Sequence, residues 1–283
     1  MPVQDPDRTH IWCDQHKAAI VADMYFENVV KCMAEAQCRI EELTLDQLTL
    51  HDRTTWKETI KLQQLDLSGL QRLTVEPTSR HFDPYDHMHM NVDEDGFHAV
   101  MGRIMQKDLD LLLTESRDTL EVFSSRRACI FTWTGTPIAL PNLHTLSLGI
   151  CEMESQFFVS WLSKLPKLAE ITLWKFSIGD LLLAPEGLEE WKKIFDAIRD
   201  HKTLKRGEIS MELRDELFVW EFEDGLEFRF DKDAGMDEVD LEIIAQANVD
   251  LDSSQHGLGE WIRLYVCGRI EWTGMLRHYL TDL

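Results

Sequence analysis

One short spacing of apolar positions recurs along the chain. It is set by Ile40-Glu-Glu-Leu43-Thr-Leu45 and returns at Leu70-Gln-Arg-Leu73-Thr-Val75, Leu143-His-Thr-Leu146-Ser-Leu148 and Leu168-Ala-Glu-Ile171-Thr-Leu173. The end of each copy alternates apolar and polar residues, the period of a strand with one buried face. Partial copies at Leu120-Glu-Val122 and Ile209-Ser-Met211 bring the expected strands to six. Between the two best copies Phe157, Phe158, Trp161, Leu162 and Leu165 fall at helical spacing, as do Ile194, Ala197 and Ile198 before the last. Ahead of them all, Ile20, Val21, Met24, Tyr25, Val29 and Met33 place one apolar stripe on a helix over residues 16–37.

The spacing L-x-x-L-x-L is the core of a leucine-rich repeat, in which each strand-and-helix unit buries its neighbour's apolar edge. Steps of 26 and 25 residues separate Leu120, Leu146 and Ile171, inside the roughly 20–29 of that class. The other steps are longer and call for insertions near 77–110 and 179–190. The expected fold is therefore α/β, an irregular leucine-rich-repeat solenoid with short parallel strands on a concave face and helices on the convex one.

Past residue 212 the pattern changes. Phe218, Trp220 and Phe222, then Asp224-Gly225, then Leu226, Phe228 and Phe230 predict a β-hairpin that covers the last apolar layer, followed by a short helix at 237–246. The chain thus divides into an N-terminal helical cap (1–39), degenerate repeats (40–212) and an acidic C-terminal hairpin and capping segment (213–283).

Composition narrows the partners. A charge of −22 repels nucleic acid and anionic membrane faces. Residues 212–252 hold 15 acidic residues against Arg214, Arg229 and Lys232, so the last quarter is expected to be an acidic surface. Six cysteines without a C-x-x-C pair read as reduced thiols, and the polar N-terminus without a long apolar run reads as an intracellular, soluble protein, cytoplasmic or nuclear.

Candidate chemistry is sparse. His87 and His89 form a His-x-His that could serve a metal-dependent hydrolase with Asp83 or Asp86, but no second cluster completes the coordination and a surface loop accounts for the residues better. Asp231 to Glu242 has the twelve-residue length of a calcium loop, with Glu242 last, yet Met236 stands where the sharp turn wants glycine. No nucleophile elbow or phosphate loop occurs, so neither enzyme activity nor a cofactor is expected.

The repeat itself points to a surface. Residues between the leucines of a strand cannot enter the core and must line the sheet's open face. These are Glu42, Thr44 and Asp46 in the first strand, Thr74 and Glu76 in the second, and Glu121 and Phe123 in the third. Thr145, Ser147, Glu170, Thr172 and Trp174 follow, with Ser210 and Glu212 last. Phe123 and Trp174 are the aromatics expected to anchor a protein partner.

The early helix, IEELTLDQL, LPNLHTLSLGIC and LPKLAEITLWKFSI together resemble the leucine-rich part of fungal F-box proteins, and the stretch from Tyr265 to Leu280 resembles that group's closing segment. The resemblance implies that the repeats hold the substrate of a ubiquitin ligase, while an F-box docks on the ligase adaptor. The first residues depart from it, since they hold no L-P-x-E segment. The chain then reads as a diverged relative or as one whose F-box lies upstream, with adaptor docking not implied.

Overall fold

The computed structural model describes residues 28–46, 65–76, 109–125, 131–133, 136–177, 185–211, 226–246 and 258–272. The chain is α/β. Strands β1 (Glu42–Asp46), β2 (Arg72–Glu76), β3 (Val122–Ser125), β4 (Phe131–Trp133), β5 (Thr145–Met153), β6 (Glu170–Ser177), β7 (Arg206–Met211) and β8 (Leu226–Asp231) form one sheet. Its order is β1-β2-β3-β5-β6-β7-β8, with β4 continuing the line of β3 along β5. All pairings are parallel except β7 with β8. Helix α1 covers residues 28–35 and α2 residues 109–115; α3 (Ser155–Leu162), α4 (Pro185–Asp200), α5 (Glu238–Gln246) and α6 (Leu258–Val266) follow.

Six strands start in the same way. The residue two places before each start, Ile40, Leu70, Leu120, Leu143, Leu168 or Leu204, is buried. The carbonyl just before each of the first five accepts two backbone N–H groups from the next unit: Glu41 from Gln71 and Arg72, Gln71 from Glu121 and Val122, Glu121 from His144 and Thr145, His144 from Ala169 and Glu170, and Ala169 from Lys205 and Arg206. One local arrangement is thus made six times, each copy bonded to its neighbour in the chain.

Side chains tie the same turns together. Thr119 donates its hydroxyl to the Leu70 carbonyl at 2.9 Å and Thr203 to that of Leu168 at 2.9 Å, while Asn142 donates to the Asp118 carbonyl at 2.7 Å. His201 sits with Nε2 3.1 Å from the Leu165 carbonyl and Nδ1 accepting the Leu204 N–H at 3.3 Å. Burial holds its imidazole below the usual histidine range, and the neutral ring with Nε2 protonated satisfies both neighbours.

Register decides what is buried. Leu73, Phe123, Leu146 and Ile171 lie side by side, and Val75, Ser125, Leu148 and Leu173 form the next inward row. The apolar side is covered by helices: Phe158 of α3 meets Phe176 at 5.3 Å between ring centroids, Trp191 of α4 meets Phe176 at 5.9 Å, and Phe195 meets Phe228 of β8 at 6.1 Å. Each such ring contributes its full hydrophobic burial and a further ~0.5–1.5 kcal/mol from edge or offset contact.

The far end closes on β8 and α6. Lys232, just past β8, donates Nζ to the carbonyls of Ile198 at 2.5 Å and Arg199 at 2.9 Å. These are orphan carbonyls at the α4 C-terminus, where a cation also meets the negative end of the helix dipole. Helix α6 ends in a Schellman turn, in which Arg269 N–H bonds to the Leu264 carbonyl, Gly268 N–H bonds to that of Tyr265, and Gly268 holds φ +71°. Tyr265 donates its hydroxyl to Asp196 of α4, and Arg199 lies 4.8 Å over the tyrosine ring.

Several expectations shift. Helix α1 buries Val30 and leaves Val29 exposed, one residue off the expected stripe. The region assigned to an insertion at 179–190 includes the start of α4. Strand β8 pairs antiparallel with β7, whereas its expected partner at 218–222 lies outside the described residues. Helix α5 falls within the expected 237–246. Equivalent positions also differ: Phe123, not Leu120, aligns with Leu146, a step of 23 residues, and Gly207, not Ile209, aligns with Ile171, a step of 36. Among the described residues, no helix is long and apolar enough to cross a membrane.

Candidate interaction face

Every strand turns alternate side chains away from the helices, and parallel register lines these up across the sheet. One outward row runs Thr44, Thr74, Ser124, Ser147, Thr172, then Glu208 and Arg229. Five hydroxyl side chains therefore stand in a row across five adjacent strands, whose backbones lie about 4.8 Å apart. Thr44 is exposed, Thr74, Ser147 and Thr172 are half-buried and Ser124 is buried. Among the described residues none of these five hydroxyls forms a hydrogen bond, and that of Ser124 is shut away from water as well. Elsewhere Ser116, Thr119, Ser163 and Thr203 all spend theirs on backbone carbonyls.

The row beside it is charged: Glu42, Arg72, Val122, Thr145, Glu170, Arg206 and Asp231. Arg206 pairs with Glu170 at 3.0 Å, and Arg229 in the hydroxyl row pairs with Glu208 at 3.0 Å. Such exposed pairs stabilise by about 0–1 kcal/mol, so they can be exchanged for a partner's charges at small cost. Trp174 stands next to Gly149 in the β5–β6 register and is 44% exposed, the largest exposed side chain on this face. A flat aromatic beside a residue with no side chain offers an apolar platform in a polar field.

The residues expected on this face divide into groups. Thr44, Thr74, Thr145, Ser147, Glu170, Thr172, Trp174 and Ser210 all occupy outward positions with at least partial exposure. Asp46 and Glu76 are aligned with each other at the ends of β1 and β2, but their side chains lie outside the described residues. Phe123 is a correction. It is fully buried, because Leu120 occupies the first position of the L-x-x-L-x-L spacing, which makes Phe123 the fourth and sends it inward between Leu73 and Leu146. Ser124 holds the outward position instead. The signal was available, since Leu120-Glu-Val-Phe123 has the first-to-fourth spacing of the other copies.

The remaining candidates lie elsewhere. Asp83, Asp86, His87, His89 and Glu212 fall outside the described residues. In the stretch from Asp231 to Glu242, Asp237 accepts the Asp240 N–H at 2.8 Å and caps α5, Asp233 pairs with Lys205 at 2.6 Å, and Asp240 is buried against Arg263. Burial works to raise the Asp240 carboxyl, but the hydrogen bonds from Arg263 and the Asp237 N–H outweigh it and hold the group below the usual range. Among the described residues, no three His, Cys, Asp or Glu side chains come together as a metal site.

Comparison with known protein families, with curated proteins and with solved structures returns no match.

Proposed function

We propose that the chain is a protein-recognition module, a leucine-rich-repeat solenoid closed by β8 and α6, whose polar sheet side is the concave binding face. The observation that carries this reading is the row of four accessible, unspent hydroxyls, Thr44, Thr74, Ser147 and Thr172, beside Trp174. A hydroxyl that bonds nothing in its own chain can donate to or accept from a partner's backbone without an internal bond being broken. The L-x-x-L-x-L spacing, present in four of six units that are each bonded to the next, supports the repeat assignment. A net charge of −22 favours a protein over a nucleic acid as partner. Within this reading, the resemblance to fungal F-box proteins makes the partner a ubiquitin-ligase substrate, held either by a receptor or by a relative without the adaptor-binding end.

The test replaces Trp174→Ala and Ser147→Arg together and compares proteins captured from the organism's own cells with those captured by the unaltered chain. Both positions are outward, so the thermal melting curve should stay in place. Partners recovered by the unaltered chain should fall at least tenfold with the variant. Equal recovery of the same partners from both would remove the sheet side as the binding surface.

A further inference from the structure

At the β8 end of the sheet, a cleft of about 270 Å³ opens between β8, the loop leading into α5 and the end of α6. Three arginines are among its lining residues, Arg229, Arg263 and Arg269, in a chain where acidic residues outnumber basic ones by 51 to 29. The three are held for different reasons. Arg263 is consumed by Asp240 and by Glu260 at 2.7 Å, and so forms a fixed wall that joins α6 to the start of α5. Arg229 contributes its place on β8, with its guanidinium turned to the open face of the sheet against Glu208.

Arg269 is different. It directly follows Gly268, whose left-handed turn fixes the direction in which the chain leaves α6. Its Nη2 donates to the Ala234 carbonyl at 2.9 Å, and among the described residues no carboxylate lies within ion-pair distance of it. A guanidinium carries five N–H donors in a fork that matches two oxygens of an oxyanion, so most of the donors of Arg269 are unspent. The two carboxylates in the lining are engaged, Asp240 with Arg263 and Asp231 with the Asp233 N–H at 2.9 Å. At Gly235 a side chain would meet nothing within 4 Å, so this wall leaves the backbone open to a ligand.

We propose that this cleft is a binding site for one small oxyanionic group, a phosphate or a carboxylate, gripped by Arg269. The site is independent of the sheet-side recognition reading, because its cleft-facing groups come from the α5 loop and α6 as well as β8.

Titration calorimetry of the full chain with inorganic phosphate, and separately with acetate, against chloride at matched ionic strength is the test. Saturable binding with a Kd of roughly 1 mM or tighter is expected for at least one of the two anions, and which anion binds tells the phosphate source from the carboxylate source. Arg269→Gln should weaken it at least tenfold, Arg269→Lys should weaken it less, and Arg117→Gln, at a distant exposed pair, should leave it unchanged. Thermal melting of each variant separates lost binding from lost folding. No saturable binding of either anion, or binding that survives Arg269→Gln in a folded variant, would overturn the proposal.

Discussion

Phe123→Ala should lower the free energy of unfolding by about 3–5 kcal/mol, the range for emptying a buried phenylalanine site. The ring is fully buried between Leu73 and Leu146 in the parallel register, and the next inward residue on the same strand is Ser125. A large side chain and a small one share the space that two leucines or a leucine and a valine fill in the neighbouring strands. A cavity left by alanine beside a serine has little to collapse into it, which places the expected loss toward the upper end. Thr44→Ala, at an exposed position of the outward row, should change stability by no more than about 0.5 kcal/mol. Urea denaturation of both variants checks the pair. Equal small effects would mean that Phe123 faces solvent and that the register of β3 is one residue off.

Gly207→Val should cost about 3 kcal/mol or more, beyond the usual overpacking penalty, because the obstacle includes backbone. Gly207 takes the inward place that Leu43, Leu73, Phe123, Leu146 and Ile171 take in the other strands, and it pairs with Ile171 on one side and Phe230 on the other. A Cβ built there would lie 2.6 Å from the Ile171 carbonyl oxygen and 2.7 Å from Cε1 of Phe230. Glycine inside a strand is ordinarily unfavourable; here it admits the phenylalanine ring of the antiparallel strand over the last parallel one. Combining Gly207→Ala with Phe230→Leu should recover part of the loss seen with Gly207→Ala alone, since the ring contact is relieved while the carbonyl contact remains. Chemical denaturation of the two single variants and the double reads the coupling. Full additivity would show that the ring does not press on this position.

Four of the six repeated units were legible in the spacing of their leucines, because Leu43, Leu73, Leu146 and Ile171 each keep an aliphatic residue two places on. The other two depart from that spacing for a physical reason. Ser125 and Gly207 stand where the spacing calls for a leucine, one offset by the bulk of Phe123 and the other required by Phe230. The partial copy read at Leu120-Glu-Val122 turns Phe123 outward, since a slip by an odd number of residues turns every side chain over. The alternation puts Thr44, Thr74, Ser147 and Thr172 outward, where the register also has them, but their alignment into one row is not legible in the sequence, because it depends on inter-strand register across connections of unequal length. The cleft at Arg269 was invisible to spacing as well, since its walls come from residues 229–240 and 263–269, which only the packing of α6 on β8 brings together.

The central claim is that recognition takes place on the hydroxyl-bearing side of the sheet. A photo-activatable cross-linking residue placed in turn at Ser147, Thr172, Lys193 and Lys202, in the chain expressed in its own cells, measures this directly. The first two lie on the outward row, whereas Lys193 is exposed on α4 and Lys202 on the turn after it. A common set of protein adducts from Ser147 and Thr172, absent from Lys193 and Lys202, is the expected result. Adducts formed with the same proteins from the helix positions, and none from the sheet positions, would contradict it.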